Sequence, residues 1–168
     1  VYALSRFHQW PVDLKKCFAS FKGVKRRQEL IGEPGGVQVI EDFAHHPTAV
    51  SATIESFKKR KGAQKLVVIF EPRSNTSKRK IFQGDYQRAL QKADLAFICR
   101  PEKAIENEEQ AIDVEQMAKN IGSQAVAFSW VEEIFDSVKD QTEAGDTVLI
   151  MSNGGFQGIY QKILKALE

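Results

Sequence analysis

Residues 40–50 read IEDFAHHPTAV, which puts an acid, Asp42, and two adjacent histidines, His45 and His46, within five positions and just ahead of Pro47. A carboxylate at a strand end can accept a ligand hydroxyl, and a neighbouring imidazole can bridge to a ligand or to another domain. A metal reading is weaker. Adjacent histidines point in different directions and no third His or Cys cluster supports them, so no protein-built metal site is expected. The plain alternative for the trio is capping and packing at a strand–helix junction.

Two other segments carry more polar groups than their positions need. In FEPRSNTS, residues 70–77, Arg73 offers a guanidinium fork for a carboxylate, with Ser74, Asn75 and Thr76 as neutral hydrogen-bonding groups. The same Ser, Asn and Thr residues are equally good helix N-caps. In MSNGGFQG, residues 151–158, Ser152, Asn153, Gly154 and Gly155 stand between a strand and a helix. They form either a tight turn or a nest of backbone amides for an anion, a carboxylate by preference. The glycine pattern lacks the first glycine of the dinucleotide fingerprint and follows the last strand, which argues against a dinucleotide enzyme. A fourth segment, GVKRRQE, places Arg26 and Arg27 ahead of the first strand. They are either a solvated edge or a phosphate clamp reaching out of the domain.

The elements that must position these groups alternate. QELIG and VQVIEDF flank the turn signal EPGG and are expected to pair as a hairpin. Pro47 suits the first turn of a helix with Val50, Ile54 and Phe57 on one face. KLVVIF, DLAFIC and DTVLIM are continuous apolar runs, as strands covered on both faces require, and QAVAF is a brief further strand. Helices are expected from about Lys78, with Phe82, Tyr86, Ala89, Leu90 and Ala93 inward, and over DVEQMAKNIG behind an Asp113/Gln116 capping box. A Ser129/Glu132 box should open the next, and FQGIYQKILKALE the last. The fold class is α/β: a Rossmann-like, mostly parallel sheet of about six strands with an antiparallel N-terminal hairpin strand and helices on both faces. Ligands are then expected at the carboxyl ends of the strands, where Asp42, His45, Arg73, Ser74, Asn75, Ser152 and Asn153 could share one cleft.

The 168 residues suit one domain with a real core, at 42% hydrophobic and 27% charged. A net charge of +2 gives no argument for nucleic acid. No apolar run reaches the ~18 residues of a membrane span, and no signal peptide is visible. Cys17 and Cys99 have no metal-ligand spacing, and Cys99, inside DLAFIC, reads as a buried thiol. A cytoplasmic protein is expected. The chain opens without Met on VYALSRFHQW, which has helical spacing, and Pro11 could open a second helix carrying Leu14, Cys17, Phe18 and Phe21. Such a start suggests a piece of a longer chain.

Taken together and in this order, FKGVKRRQE, DFAHHPTAV, FEPRSNTS and MSNGGF resemble the carboxyl-terminal domain of the Mur ligase family, over essentially the whole chain. Gln157 and Tyr160 depart from that pattern, which has Gly and His there. The resemblance implies a three-domain enzyme with one domain for a UDP sugar, a central P-loop domain for ATP and Mg2+, and this one. Residues 1–22 would be a remnant of the central domain and residues 23–168 the carboxyl-terminal domain. The implied chemistry is ATP-dependent amide formation through an acyl phosphate. The nearest branch of the family joins the recycled tripeptide L-Ala-γ-D-Glu-meso-diaminopimelate to UDP-N-acetylmuramate, and the branch that adds L-alanine is the alternative. By resemblance Arg27 reaches the ATP phosphates, Asp42 binds the ribose, and His45 and His46 lie at the nucleotide. Arg73, Ser74, Asn75, Thr76, Ser152, Asn153, Gly154 and Gly155 would receive the peptide. The expected partners are these substrates and the other domains of the same chain, with no nucleic acid and no membrane, and the isolated piece is expected to be inactive. A non-catalytic peptide- or anion-binding module is the reading from another class.

Overall fold

The computed structural model describes residues 2–8, 13–21, 23–60, 64–101 and 108–168. Its centre is a six-stranded sheet of β1 (Glu29–Gly32), β2 (Gln38–Asp42), β3 (Leu66–Phe70), β4 (Leu95–Cys99), β5 (Ala125–Phe128) and β6 (Thr147–Met151), in the order β1-β2-β6-β3-β4-β5. β1 and β2 are antiparallel across a 3-10 turn at Pro34–Gly36, and every other pair is parallel. The hairpin and the parallel remainder are as the sequence pattern predicts.

The helices are α1 (Tyr2–His8), α2 (Leu14–Ser20), α3 (Pro47–Lys58), α4 (Gln83–Leu90), α5 (Val114–Ile121), α6 (Glu132–Gln141) and α7 (Ile159–Ala166). Side chains alternate along each strand, so the apolar runs feed two cores. Val68, Phe70, Ala96, Ile98, Leu149 and Met151 join Val50, Ile54 and Phe57 of α3, Tyr86 and Leu90 of α4, and Met117 of α5. Val67, Ile69, Phe97, Val148 and Ile150 face the other way, onto Ile134 and Val138 of α6 and Ile159 and Ile163 of α7. The chain moves outward through β3, β4 and β5 with helices on one face, then returns to β6 with helices on the other. A constant crossover hand demands that switch of face.

Three local expectations are corrected. The helix predicted from Lys78 begins at Gln83: residues 74–78 form a hydrogen-bonded turn, and Arg79 is extended and bridged to Ala111, which interrupts any helix there. The Ser129/Glu132 box is displaced. Because α6 starts at Glu132, the acid that reaches back is Glu133, whose carboxylate accepts from the Ser129 and Trp130 amides at 3.1 and 3.0 Å. Half of the Asp113/Gln116 box forms, with Asp113 accepting from the Gln116 amide at 2.8 Å while the Gln116 side chain turns to Asn120. Pro11 lies outside the described residues; α2 is capped by Asp13, which accepts from Lys16 N. Among the described residues no helix is long and apolar enough to cross a membrane.

Cys99 is 2% exposed in β4, and burial, with Glu71 nearby, pushes its thiol up to about 12. The fold therefore favours the protonated thiol. That contribution is complete below an unfolded thiol's pKa of about 8.5 and is lost as pH rises toward 12. A disulfide reagent at pH 8 should modify only the exposed Cys17 in the native chain and both thiols in urea; fast native labelling of Cys99 would contradict this packing.

Candidate functional site

The three polar segments come from the carboxyl ends of three adjacent strands. β6 lies between β2 and β3 in exact parallel register, with Asp42 opposite Met151 and Met151 opposite Phe70. EDFAHHP, MSNGGF and EPRSNTS therefore leave the sheet side by side at one edge, where an open α/β sheet leaves a crevice.

Buried carboxylates hold these loops in shape. Asp42, 4% exposed, accepts from the Gln28 amide at 2.9 Å with one oxygen and from Ala44 N at 2.8 Å with the other. It therefore braces the turn before β1 as well as its own loop. Glu71, 1% exposed, accepts from Ser152 Oγ at 2.7 Å, and Ser152 Oγ in turn accepts from Gly154 N at 3.1 Å. The Glu71 carboxylate also lies 3.6 Å from Arg73 Nη1. Arg73 crosses directly over Gly154, where a Cβ would sit 2.2 Å from the Arg73 Cδ and Nε. Glycine is needed there for close approach. The Asn153 Oδ1 is buried beside this crossing without a hydrogen-bond partner.

The turn that carries Arg27 is strained on both sides: Arg26 and Gln28 have φ of +59° and +51°. Left-handed backbone is costly for residues with a Cβ and persists where surrounding bonds over-determine it. Here Arg26 N donates to Glu29 at 2.6 Å and Phe43 N donates to Arg26 O at 2.9 Å, in addition to the Gln28–Asp42 bond. The result presents Arg27 exposed, its guanidinium 5.4 Å from the centre of the Phe43 ring. His45 meets the same ring edge-on at 5.2 Å. Its Nδ1 is 2.9 Å from Phe43 O, a carbonyl that can only accept, so Nδ1 carries a proton and Nε2 takes no part in that bond. His46 caps α3, with Nδ1 accepting from Thr48 N at 3.4 Å.

Ser74 acts as the capping residue that its type suggests, accepting from Ser77 N at 2.9 Å, while Asn75, Thr76 and Gly155 are exposed. At Gln157, where the expected pattern has Gly, the backbone keeps a glycine-like shape: Phe156, Gln157 and Gly158 have φ of 43°, 50° and 74°. Tyr160 is half-buried, and burial first, then the nearby Glu41 charge, push it up to about 12. Among the described residues no group of three His, Cys, Asp or Glu is placed to hold a metal ion.

Glu41, Phe43 and Glu71 are the residues that sequence reading passed over. Glu71 and Glu41 left a signal, since each is an acid in or directly after an apolar strand, where an unpaired charge would be costly. Arg26 was read together with Arg27 as a solvated edge or a phosphate clamp, whereas its side chain turns inward to Glu41 and the Ser152 and Gly154 carbonyls.

The family model described as "Mur ligase, glutamate ligase domain" matches residues 26–154. The chain belongs to the Mur ligase family. It is 38% identical to the UDP-N-acetylmuramate–L-alanyl-γ-D-glutamyl-meso-2,6-diaminoheptandioate ligase of Escherichia coli (strain K12), over 94% of this chain and 33% of that protein. It superposes on the murein peptide ligase of Psychrobacter arcticus 273-4 with a TM-score of 0.72 at 35% identity, covering 98% of this chain and 35% of that one. A separately crystallised domain from Haemophilus ducreyi 35000HP, assigned to the same ligase activity, aligns with a TM-score of 0.67 at 34% identity, over 84% of this chain and all of that one. The chain thus spans about a third of the length of the longer relatives.

Gly154→Ala should force the Arg73 side chain away and cost about 1 kcal/mol in urea unfolding, the low end of overpacking because the clash is with a flexible side chain. Combined with Arg73→Ala, the double-mutant cycle should return a coupling of about 1 kcal/mol. Additive effects would mean that Arg73 does not cross Gly154 in solution.

Proposed function

We propose that this chain is the carboxyl-terminal, acceptor-binding part of a Mur ligase that joins L-Ala-γ-D-Glu-meso-diaminopimelate to UDP-N-acetylmuramate with ATP. The observation that carries this reading is the Arg73–Gly154 crossing at the shared edge of β3 and β6. A guanidinium fork, the backbone amide of the exposed Gly155 and the unpartnered Asn153 oxygen together suit a peptide that bears carboxylates and amides. Similarity to ligases named for this tripeptide supports the choice of acceptor.

On this reading the two sides of the site divide the work. Arg27, exposed and set against the Phe43 ring, is available to neutralise phosphate charge as the domains close. Asp42 would use its remaining lone pairs for ribose hydroxyls, with His45 and His46 beside the nucleotide. Arg73, Ser74, Asn75, Thr76, Ser152, Asn153, Gly154 and Gly155 would receive the peptide and aim its amine at the activated carboxylate, so that catalysis here is chiefly orientation. When bound, ATP supplies the phosphoryl group that activates that carboxylate. Mg2+ and most of the phosphate grip belong to the central domain on this reading, because no G-x-x-x-x-G-K-[ST] occurs in the sequence. Residues 1–22 are read as part of that central domain; the exposed aromatics Phe7, Phe18 and Phe21 on and after α1 and α2 suit a covering neighbour. A cytoplasmic setting is part of the same proposal.

Calorimetric titration of the chain tests the acceptor site. The tripeptide should bind and L-alanine should not, and Arg73→Ala should weaken tripeptide binding at least tenfold. Equal binding of both ligands, or an unaffected Arg73→Ala variant, would remove the basis for the assignment. With ATP, Mg2+ and both substrates the chain alone should form no amide product by mass spectrometry; turnover would refute the division of labour.

A further inference from the structure

The two sides of the site are joined through a single side chain that the proposed chemistry does not use. Arg26 Nε donates to Glu41 Oε1 at 2.6 Å, while Nη2 donates to Ser152 O at 3.1 Å and to Gly154 O at 2.8 Å. These two carbonyls flank Asn153, whose Oδ1 is buried and unpartnered, and Gly154 is the residue that Arg73 crosses. The guanidinium also lies 5.0 Å from the centre of the Phe43 ring, which Arg27 approaches at 5.4 Å. Glu41 is only 13% exposed, so this ion pair is partly desolvated and its geometry is tightly held. Tyr160 lies close to both groups, with its hydroxyl buried and lacking a hydrogen bond of good geometry.

The backbone of Arg26 points to the same role. A left-handed residue there would ordinarily be glycine, yet an arginine stands at φ +59°. With glycine the turn before β1 would be easier to form but would have no tie to the β6 loop, which lies 126 and 128 positions away in sequence.

We propose that Arg26 is a positioning residue that couples the turn carrying Arg27 to the acceptor loop Ser152–Gly155, through its Glu41-oriented clamp on the Ser152 and Gly154 carbonyls. This rests on the ligase reading for its functional consequence, though not for the clamp itself. Because the clamp holds the loop's carbonyls, it fixes the direction of the Asn153 side chain and of the Gly154 and Gly155 amides. The acceptor site is therefore in shape only while the turn before β1 is in place.

Two measurements test it. In the chain itself, amide hydrogen exchange of Ser152 and Gly154, whose N–H groups donate to Asp42 O and Ser152 Oγ, should accelerate at least tenfold in Arg26→Ala and in Glu41→Gln, with Val148–Ile150 in β6 unchanged. Arg26→Lys should restore the protection only in part, since an ammonium cannot span Glu41 and both carbonyls. Unchanged loop exchange in a folded variant would overturn the clamp, and so would equal acceleration throughout β6, which marks general destabilisation. In the full-length enzyme, Arg26→Ala should raise the KM for tripeptide at least tenfold while the KM for ATP changes less than twofold. Equal changes in both would overturn the assignment to the acceptor loop. If the unmutated full-length enzyme forms no amide product, the ligase reading fails, and the exchange experiment still decides the clamp.

Discussion

The site depends on the insertion of β6 between β2 and β3. Parallel strands carry evenly spaced, slanted hydrogen bonds, and the pairing here holds Asp42, Met151 and Phe70 level with one another. The loops that follow must then leave the sheet together. Both cores enforce this register. Leu149 and Met151 are packed on one face and Val148 and Ile150 on the other, all fully buried, so a slip by one residue would exchange the two sets.

Above that edge, short carboxylate contacts replace regular secondary structure. Asp42, Glu41 and Glu71 each accept from groups on a different segment, and each is largely withdrawn from water. A withdrawn carboxylate without donors would be costly, so these acids make the loop conformations mutually dependent. The same logic explains the left-handed residues at Arg26 and Gln28, in the turn that the Arg26 clamp ties to the β6 loop. Local strain is sustained there by bonds to other segments, and the outcome is a preformed surface with few degrees of freedom.

Chain order, strand count and the identity of the polar loops were all readable in advance. Continuous apolar runs in β3, β4 and β6 announced strands buried on both faces, and Pro47 announced the start of α3. Helix starts were less legible. The displaced box at Glu133 and the late start at Gln83 depend on where the first free amides fall and on the Arg79–Ala111 bridge, and neither is a property of a local window. At the site, residue types were enough to single out Arg73, Asn153 and Gly154. They were not enough to separate a ligand-binding Ser74 from a capping one, and Ser74 does cap its turn.

What the amino-acid sequence determined by itself was therefore the α/β class and the set of groups able to do chemistry, because periodicity and residue type are local. What the tertiary structure alone decided was which of them meet. β6 comes last in the chain and enters the sheet between strands formed far earlier, and its position follows from burying two apolar faces at once. Only that placement brings Ser152 and Gly154 under Arg26 and Gly154 beneath Arg73. An arginine that reads as a solvated edge thereby becomes the tie between the two halves of the site, since hydrogen bonds over so long a sequence separation have no counterpart in local pattern.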